Sequence, residues 1–226
     1  MNITYRIFHR FVDLTDSQSF ITKLRLRRNT IFKKLISSLP KPVKILDVGG
    51  TEEFWKKVGF YNDISVEITL VNLHKIDTRS ENISSFIGDA RSLMQCRDKE
   101  FDVVFSNSVI EHVGTFLDQK KMADELIRVG KRLFLQTPNF YFPFEPHFLL
   151  PFFQFFPLKV KVFLIQHFSL GWMGQHENVA DAISVANSIR LLKKRELELL
   201  FLDSTIIEEK FIGITYSFIV YKGFDT

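Results

Sequence analysis

The sequence predicts an α/β domain built on a doubly wound sheet of seven strands, mostly parallel with an antiparallel strand near the C-terminus. Three observations predict it. From residue 43 onward, short apolar runs alternate with helical stretches, as expected of strands covered on both faces by crossover helices. The first of these runs, KILDV, passes directly into Gly49-Gly50-Thr51, and ligands of open α/β sheets bind just outside such strand ends. The final stretch, TIIEEKFIGITYSFIVYKG, is apolar, β-branched and broken near Gly213, which reads as two strands of an antiparallel hairpin at the sheet edge.

The elements follow in order. Residues 15 to 39 read as a basic amphipathic helix with Thr15 and Asp16 as N-cap candidates; Phe20, Leu24, Ile31, Leu35 and Leu39 recur at helical spacing, and Pro40 and Pro42 end it. Strands are expected at Val43–Val48, Val66–Asn72, Ser85–Gly88, Phe101–Ser106 and Arg132–Gln136. Between the last two, DQKKMADELIRVGK reads as a helix capped by Asp118, with Met122 and Leu126 facing inward and Gly130 stopping it. A proline-punctuated aromatic block, FPFEPHFLLPFFQFFPLKVKVFLIQHF, argues against a regular helix across its first half. LLKKRELELLF is a further helix before the terminal hairpin.

Bulk composition narrows the class without choosing a function. The chain has 226 residues, 46% of them hydrophobic and 25% charged, the balance of a soluble globular protein with an ample core. Its single cysteine, Cys96, excludes an internal disulfide framework. A net charge of +4 is mildly basic and selects neither nucleic acid, anionic lipid nor an anionic small molecule. The opening MNITYRIFHRF lacks the order of a secretory signal, and no stretch reaches the roughly 20 apolar residues of a membrane span, so a cytoplasmic location is expected. The 25 phenylalanines are unevenly placed, which reflects either compositional bias or an aromatic lining near a substrate.

A glycine turn alone is a weak sign of a ligand site. A nicotinamide fold requires G-x-G-x-x-G, whereas Glu52 and Glu53 stand where further glycines would be. Asp47 precedes the first glycine by two residues, FIGDA follows about 40 residues later, and FDVVFSNSVIEHV comes next. LDVGG, GDARSL, FDVVFSNSVIEHVG and QTPNFYFPFEPHF together resemble the class I S-adenosylmethionine-dependent methyltransferases of the type 11 group, with a Rossmann-like sheet. The likeness is closest to a bacterial subgroup with the same TPN-x-x-FP-x-EPHF block, and it runs from about residue 43 to 222.

The resemblance implies S-adenosyl-L-methionine as cofactor and assigns roles. Asp47, Gly49 and Gly50 would wrap its methionine part; Asp89 and the backbone of Ala90 would hold the adenine; Ser106 and Asn107 would lie along the methyl end. The position that usually binds both ribose hydroxyls with a carboxylate is Asn72, whose amide accepts only through its single oxygen. Chain organisation is expected as one domain, 1–226: an N-terminal helical extension (1–40), a cofactor-binding half (43–137), a substrate cap (138–189), and a C-terminal helix and strands (190–226).

Methyl transfer from a sulfonium is an in-line displacement, so the protein must position the acceptor and handle its proton. Glu111, His112, Glu145 and His147 are the catalytic candidates, and His112 is expected as the base because it follows the fourth strand and titrates near ~6.5 when unperturbed. The alternative is that Glu111 and His112 only fix the loop. No metal is expected, because Glu111 and His112 offer two ligands and two seldom suffice. The acceptor is expected to be a small molecule, a glycan or a lipid-linked compound. The aromatic block then lines an apolar pocket, rests peripherally on a membrane, or packs as a lid; Trp172, Met173, His176 and Glu177 are placed at the same mouth. Nucleic acid is the less expected partner, since SNSV replaces the strand-four ending that stacks a flipped base in many base methylases. A non-catalytic binding module is the remaining alternative.

Overall fold

A computed structural model describes residues 20–224, with side chains from residue 26 onward. The described residues divide into two units near residue 43. In the first, α1 spans Phe20–Ile36. Thr15 and Asp16 lie outside the described residues. The buried positions of α1 include Arg28, Phe32 and Ile36, a turn apart from one another, whereas Ile31 and Leu35 are only half-buried. The inward stripe is therefore one residue off the expected register, and it carries an arginine, whose long apolar stem tolerates burial better than a short charged chain.

The second unit is the expected sheet. Its strands are β1 (Val43–Val48), β2 (Val66–Asn72), β3 (Ile83–Ile87), β4 (Val103–Asn107), β5 (Leu133–Pro138), β8 (Thr205–Phe211) and β9 (Ile214–Lys222), in the order β3-β2-β1-β4-β5-β9-β8. A small separate hairpin pairs β6 (Phe144–Glu145) with β7 (Leu150–Pro151). Pairs β1–β4, β4–β5 and β2–β3 are parallel, while β9 runs antiparallel to both β5 and β8. The terminal hairpin is thus inserted with its last strand inward, against β5, and its earlier strand at the edge. Burial explains the choice: β9 holds four consecutive buried residues, Ser217–Val220, whereas β8 holds one, Glu209.

Two packed layers flank the strands. On one face, Leu46, Val48, Val104 and Leu135 meet Met122 and Leu126 of α3 (Phe116–Val129) and Leu197 of α6 (Lys194–Leu200). On the other, Trp55 of α2 (Glu52–Val58) packs on Phe105, which stacks on Phe134 with ring centroids 5.5 Å apart. Strand alternation sends Leu46 and Asp47 to opposite faces, so the one acid of β1 points at the aromatic layer. Asp118 is not the N-cap of α3. Thr115 caps it, and Asp118 completes a capping box from the third helical position, because its longer reach returns to the Thr115 N–H.

The cap leaves the sheet after β5. The β6–β7 hairpin, α4 (Leu158–His167) and α5 (Val179–Asn187) enclose a small core of Phe148, Phe153, Ile165, Leu170, Ala182 and Ala186. Pro143, Pro146, Pro151 and Pro157 precede α4, consistent with the irregular first half expected from the sequence.

Candidate active site

The carboxyl ends of β1, β2, β4 and β5 meet at one edge of the sheet. At β1, the carboxylate of Asp47 is buried beneath the glycine turn, where Trp55 Nε1 donates to Oδ2 over 2.7 Å. The other oxygen, Oδ1, has no hydrogen-bond partner among the described residues. Desolvation pushes the Asp47 pKa up to about 7, only partly offset by the indole hydrogen bond. The two glycines are explained by this seat. Gly49 has φ +80°, and a Cβ on Gly50 would fall 1.5 Å from Asp47 Oδ2. Gly50→Ala must therefore expel the carboxylate or shift the turn; we expect a loss of about 2 kcal/mol, in the range of overpacking, and an unchanged urea midpoint would contradict this seat.

Asn72 closes the turn from β2. Its Nδ2 donates to the Gly50 carbonyl over 3.0 Å, a bond that the usual carboxylate could not make, which leaves the amide oxygen as its acceptor. Asp89 sits beyond β3, where Arg91 engages it through the backbone N–H and the guanidinium, the closest contact being 2.6 Å. That pairing holds the Asp89 pKa below the usual carboxylate range. Ala90 follows in the same turn. At the end of β4, Ser106 is buried and donates weakly to the Val48 carbonyl (3.4 Å), and Asn107 pairs in register with Gln136 of β5. Ser108 adopts φ +56° and its hydroxyl contacts Gln136 Oε1 at 2.9 Å.

The four catalytic candidates, distant in sequence as two pairs, come together. A short 3-10 turn, Ile110–His112, carries the first pair past β4, and the β6 hairpin carries the second back over it. Glu111 is fully buried; Thr137 donates to its Oε2 over 3.0 Å, and Oε1 has no hydrogen-bond partner among the described residues. Desolvation raises its pKa to about 7. The rings of His112 and His147 meet edge to face with centroids 4.8 Å apart. His112 keeps an open outer surface, yet desolvation of the ring, followed by the charge of His147, lowers its pKa to about 4. Glu145, itself buried, accepts from the backbone N–H groups of His147 (2.8 Å) and Phe148 (2.6 Å) and contacts His147 Nδ1 at 2.7 Å. Desolvation pulls His147 down, but the hydrogen bond and charge of Glu145, with the charge of Glu111, outweigh it and hold its pKa above the ordinary value. The carboxylate-backed histidine is thus His147, and not His112. The turn is anchored behind by Arg190, whose N–H donates to the Glu111 carbonyl over 2.8 Å, and by Gln119, which donates to the carbonyls of Ile110 and Arg190.

Residues 46–133 match the family model of a methyltransferase domain. The seven-stranded sheet, in its order and strand directions, has the Rossmann-like class I methyltransferase fold. The likeness in fold extends across nearly the whole chain: the structure superposes with TM-score 0.52 on a SAM-dependent methyltransferase from Aquifex aeolicus (13% identity, 95% of this chain and 96% of that one). It does so equally on a cyclopropane-fatty-acyl-phospholipid synthase-like protein from Lactobacillus casei (12% identity, 97% and 99%). An uncharacterized protein of Mycobacterium tuberculosis is 36% identical over 70 residues, 31% of this chain, and the chain matches 23% of that relative's length. The Aquifex aeolicus protein is SAM-dependent by description, and S-adenosyl-L-methionine is the cofactor that the resemblance implies for this chain. The strand ends fit it on one observation above all: a buried carboxylate oxygen without a partner, Asp47 Oδ1, is suited to a cationic amino group.

The candidate site contains groups that the sequence did not single out. Trp55 and Thr137 fix the two buried carboxylates, and Arg190 and Gln119 fix the turn between them. Trp55 had a legible signal: an indole eight residues after a strand-end acid, in the first helix, is within reach of that acid. Thr137 and Arg190 had none, because their distances from Glu111 are set by the sheet and the cap.

Proposed function

We propose that the protein transfers a methyl group from S-adenosyl-L-methionine to a nucleophilic atom of a small-molecule, glycan or lipid-linked acceptor held beneath the cap. One observation carries this reading: Glu145 orients His147 at the strand ends and also lines a cavity of about 280 Å³ under the cap. That cavity joins Phe140, Phe148 and Phe153 to Lys161, Lys193 and an Arg190 paired with Glu196; the two lysines suit an acceptor with an apolar part and an anionic group. The cofactor supplies an electrophilic methyl carbon on a sulfonium. Asp47 would hold its amino group, Gly49 and Gly50 would give its methionine part room, Asn72 would accept from the ribose through its amide oxygen, and Asp89 and Ala90 would meet the adenine once Arg91 yields one carboxylate oxygen. Ser106 and Asn107 would flank the methyl end. The Glu111–His112–Glu145–His147 cluster would receive the acceptor and its proton.

A lipid-linked acceptor is favoured among these by the outer surface of the cap. The rings of Phe152, Phe155, Phe163, Phe168 and Trp172 are exposed, and from Pro146 to His176 the chain carries Lys159 and Lys161 but no Asp or Glu. Such a surface suits the interface of an anionic membrane. No helix among the described residues is long and apolar enough to cross one.

Calorimetric titration with S-adenosylmethionine and S-adenosylhomocysteine tests the donor half, and binding of neither refutes it. Release of S-adenosylhomocysteine in the presence of anionic amphiphiles, but not of neutral sugars, is the expected acceptor result. A non-catalytic module is the second reading, favoured by the Asp89–Arg91 pair that occupies the adenine acid; cofactor binding that survives Asp89→Ala speaks against the role given to Asp89.

A further inference from the structure

We propose that Glu111, His112 and His147 form a binding site for one divalent first-row transition ion, of which Zn²⁺ is the probe. Each residue offers a ligand atom, and these atoms lie within 4.8 Å of one another. The set is two imidazoles and one carboxylate, a combination that binds zinc, iron or manganese while leaving positions open for an oxygen ligand. Three features of the surroundings are those of a built site.

The first is the buried carboxylate. Glu111 has no exposed surface; one oxygen is taken by Thr137 and the other has no hydrogen-bond partner among the described residues. A buried anionic oxygen left bare is costly, and a cation beside two imidazoles removes that cost. The second is the outer support. Glu145 engages His147 Nδ1 at 2.7 Å and thereby directs Nε2 toward a ligand, the carboxylate–histidine–metal arrangement that fixes ring and tautomer in metal sites. Glu145 is in turn fixed by the N–H groups of His147 and Phe148. The third is access. Glu111 is buried, His147 is half-buried and His112 is open to solvent, so the cluster has a closed floor and an open outer side. The His112 and His147 rings already meet edge to face at this open side, with centroids 4.8 Å apart.

The site deepens the reading above, and its value for catalysis rests on that reading: an ion here polarises an acceptor oxygen bound at its open positions. Metal binding itself does not depend on it. The test strips the 226-residue chain with chelator, then follows uptake of Zn²⁺ by calorimetry and by plasma mass spectrometry, with Mg²⁺ as the contrasting probe. One equivalent of Zn²⁺ and none of Mg²⁺ is expected, falling at least tenfold in affinity in His147→Ala and Glu111→Gln and about tenfold in Glu145→Gln. X-ray absorption at the bound ion in the unmutated protein should show two imidazole ligands, which keeps the test decisive if a variant fails to fold. Substoichiometric uptake, a preference for Mg²⁺, absence of imidazole scattering, or folded His147→Ala protein with full affinity each overturns the site. S-adenosylhomocysteine binding is measured on the same stripped samples: its presence without Zn²⁺ uptake sinks the metal site alone, and Zn²⁺ uptake without it sinks the donor reading alone.

Discussion

Asp47→Asn is expected to raise stability above neutral pH and, in the same protein, to weaken S-adenosylhomocysteine at least tenfold. The buried carboxyl titrates at about 7 in the folded chain against 3.8 when unperturbed. The folded state therefore holds a proton that the unfolded state has released between these values, so stability falls as pH rises from about 4 to 7 and stays reduced above it. The span of about three pKa units corresponds to an upper bound on the order of 4 kcal/mol. An amide of the same shape keeps the acceptor for Trp55 Nε1 and removes the ionisation. Thermal unfolding should show a higher Tm for the variant at pH 8 and a flatter profile between pH 4 and 7. For the original chain, affinity for S-adenosylhomocysteine should rise with pH toward 7, because a cationic amino group favours the ionised carboxyl. Equal Tm at pH 8 and unchanged affinity would together remove Asp47 from the site.

Glu145→Ala is the most damaging single change expected in the cap. It deletes the acceptor of two backbone N–H groups and the partner of His147 Nδ1, all against a buried side chain. Each unsatisfied buried donor costs about 1–3 kcal/mol, so a loss of roughly 3 to 5 kcal/mol is expected. The damage should be local: hydrogen exchange would accelerate first in the β6–β7 hairpin and the small aromatic core beneath it, while the seven-stranded sheet keeps its protection. Glu145→Gln retains one acceptor oxygen and should lose less than half as much. A loss under about 1 kcal/mol for the alanine variant would show that the hairpin is held by its aromatic packing alone.

The fold was legible in the chain because parallel sheets announce themselves locally. Val43–Val48 and Val66–Asn72 are mainly apolar runs bounded by turn residues, each interrupted by a few polar positions, and both strands begin and end where the sequence places them. Boundaries slipped by two residues at β3, where Ile83 pairs with Ile68 ahead of the expected start. The cap of α3 slipped by three, because an acid within a helix and an acid at its N-cap look alike in sequence. The inward stripe of α1 slipped by one, since Phe32 and Ile36 repeat at the same spacing as Ile31 and Leu35.

By itself the sequence determined the class of the sheet, its glycine turn and the identities of the polar residues at its strand ends, because strand periodicity and glycine chemistry act over a few neighbouring residues. Tertiary structure alone decided what those residues face. KILDVGG reveals an acid before two glycines, but only the packed helix shows that Asp47 turns inward to Trp55 and that Gly50 leaves it the space. Glu111 and His112 appear as an isolated pair of ligands until the cap brings Glu145 and His147 across to them, from more than thirty residues away. Burial then sets their proton affinities: desolvation and neighbouring charge depend on every chain segment that closes over a group, and no local pattern encodes that closure.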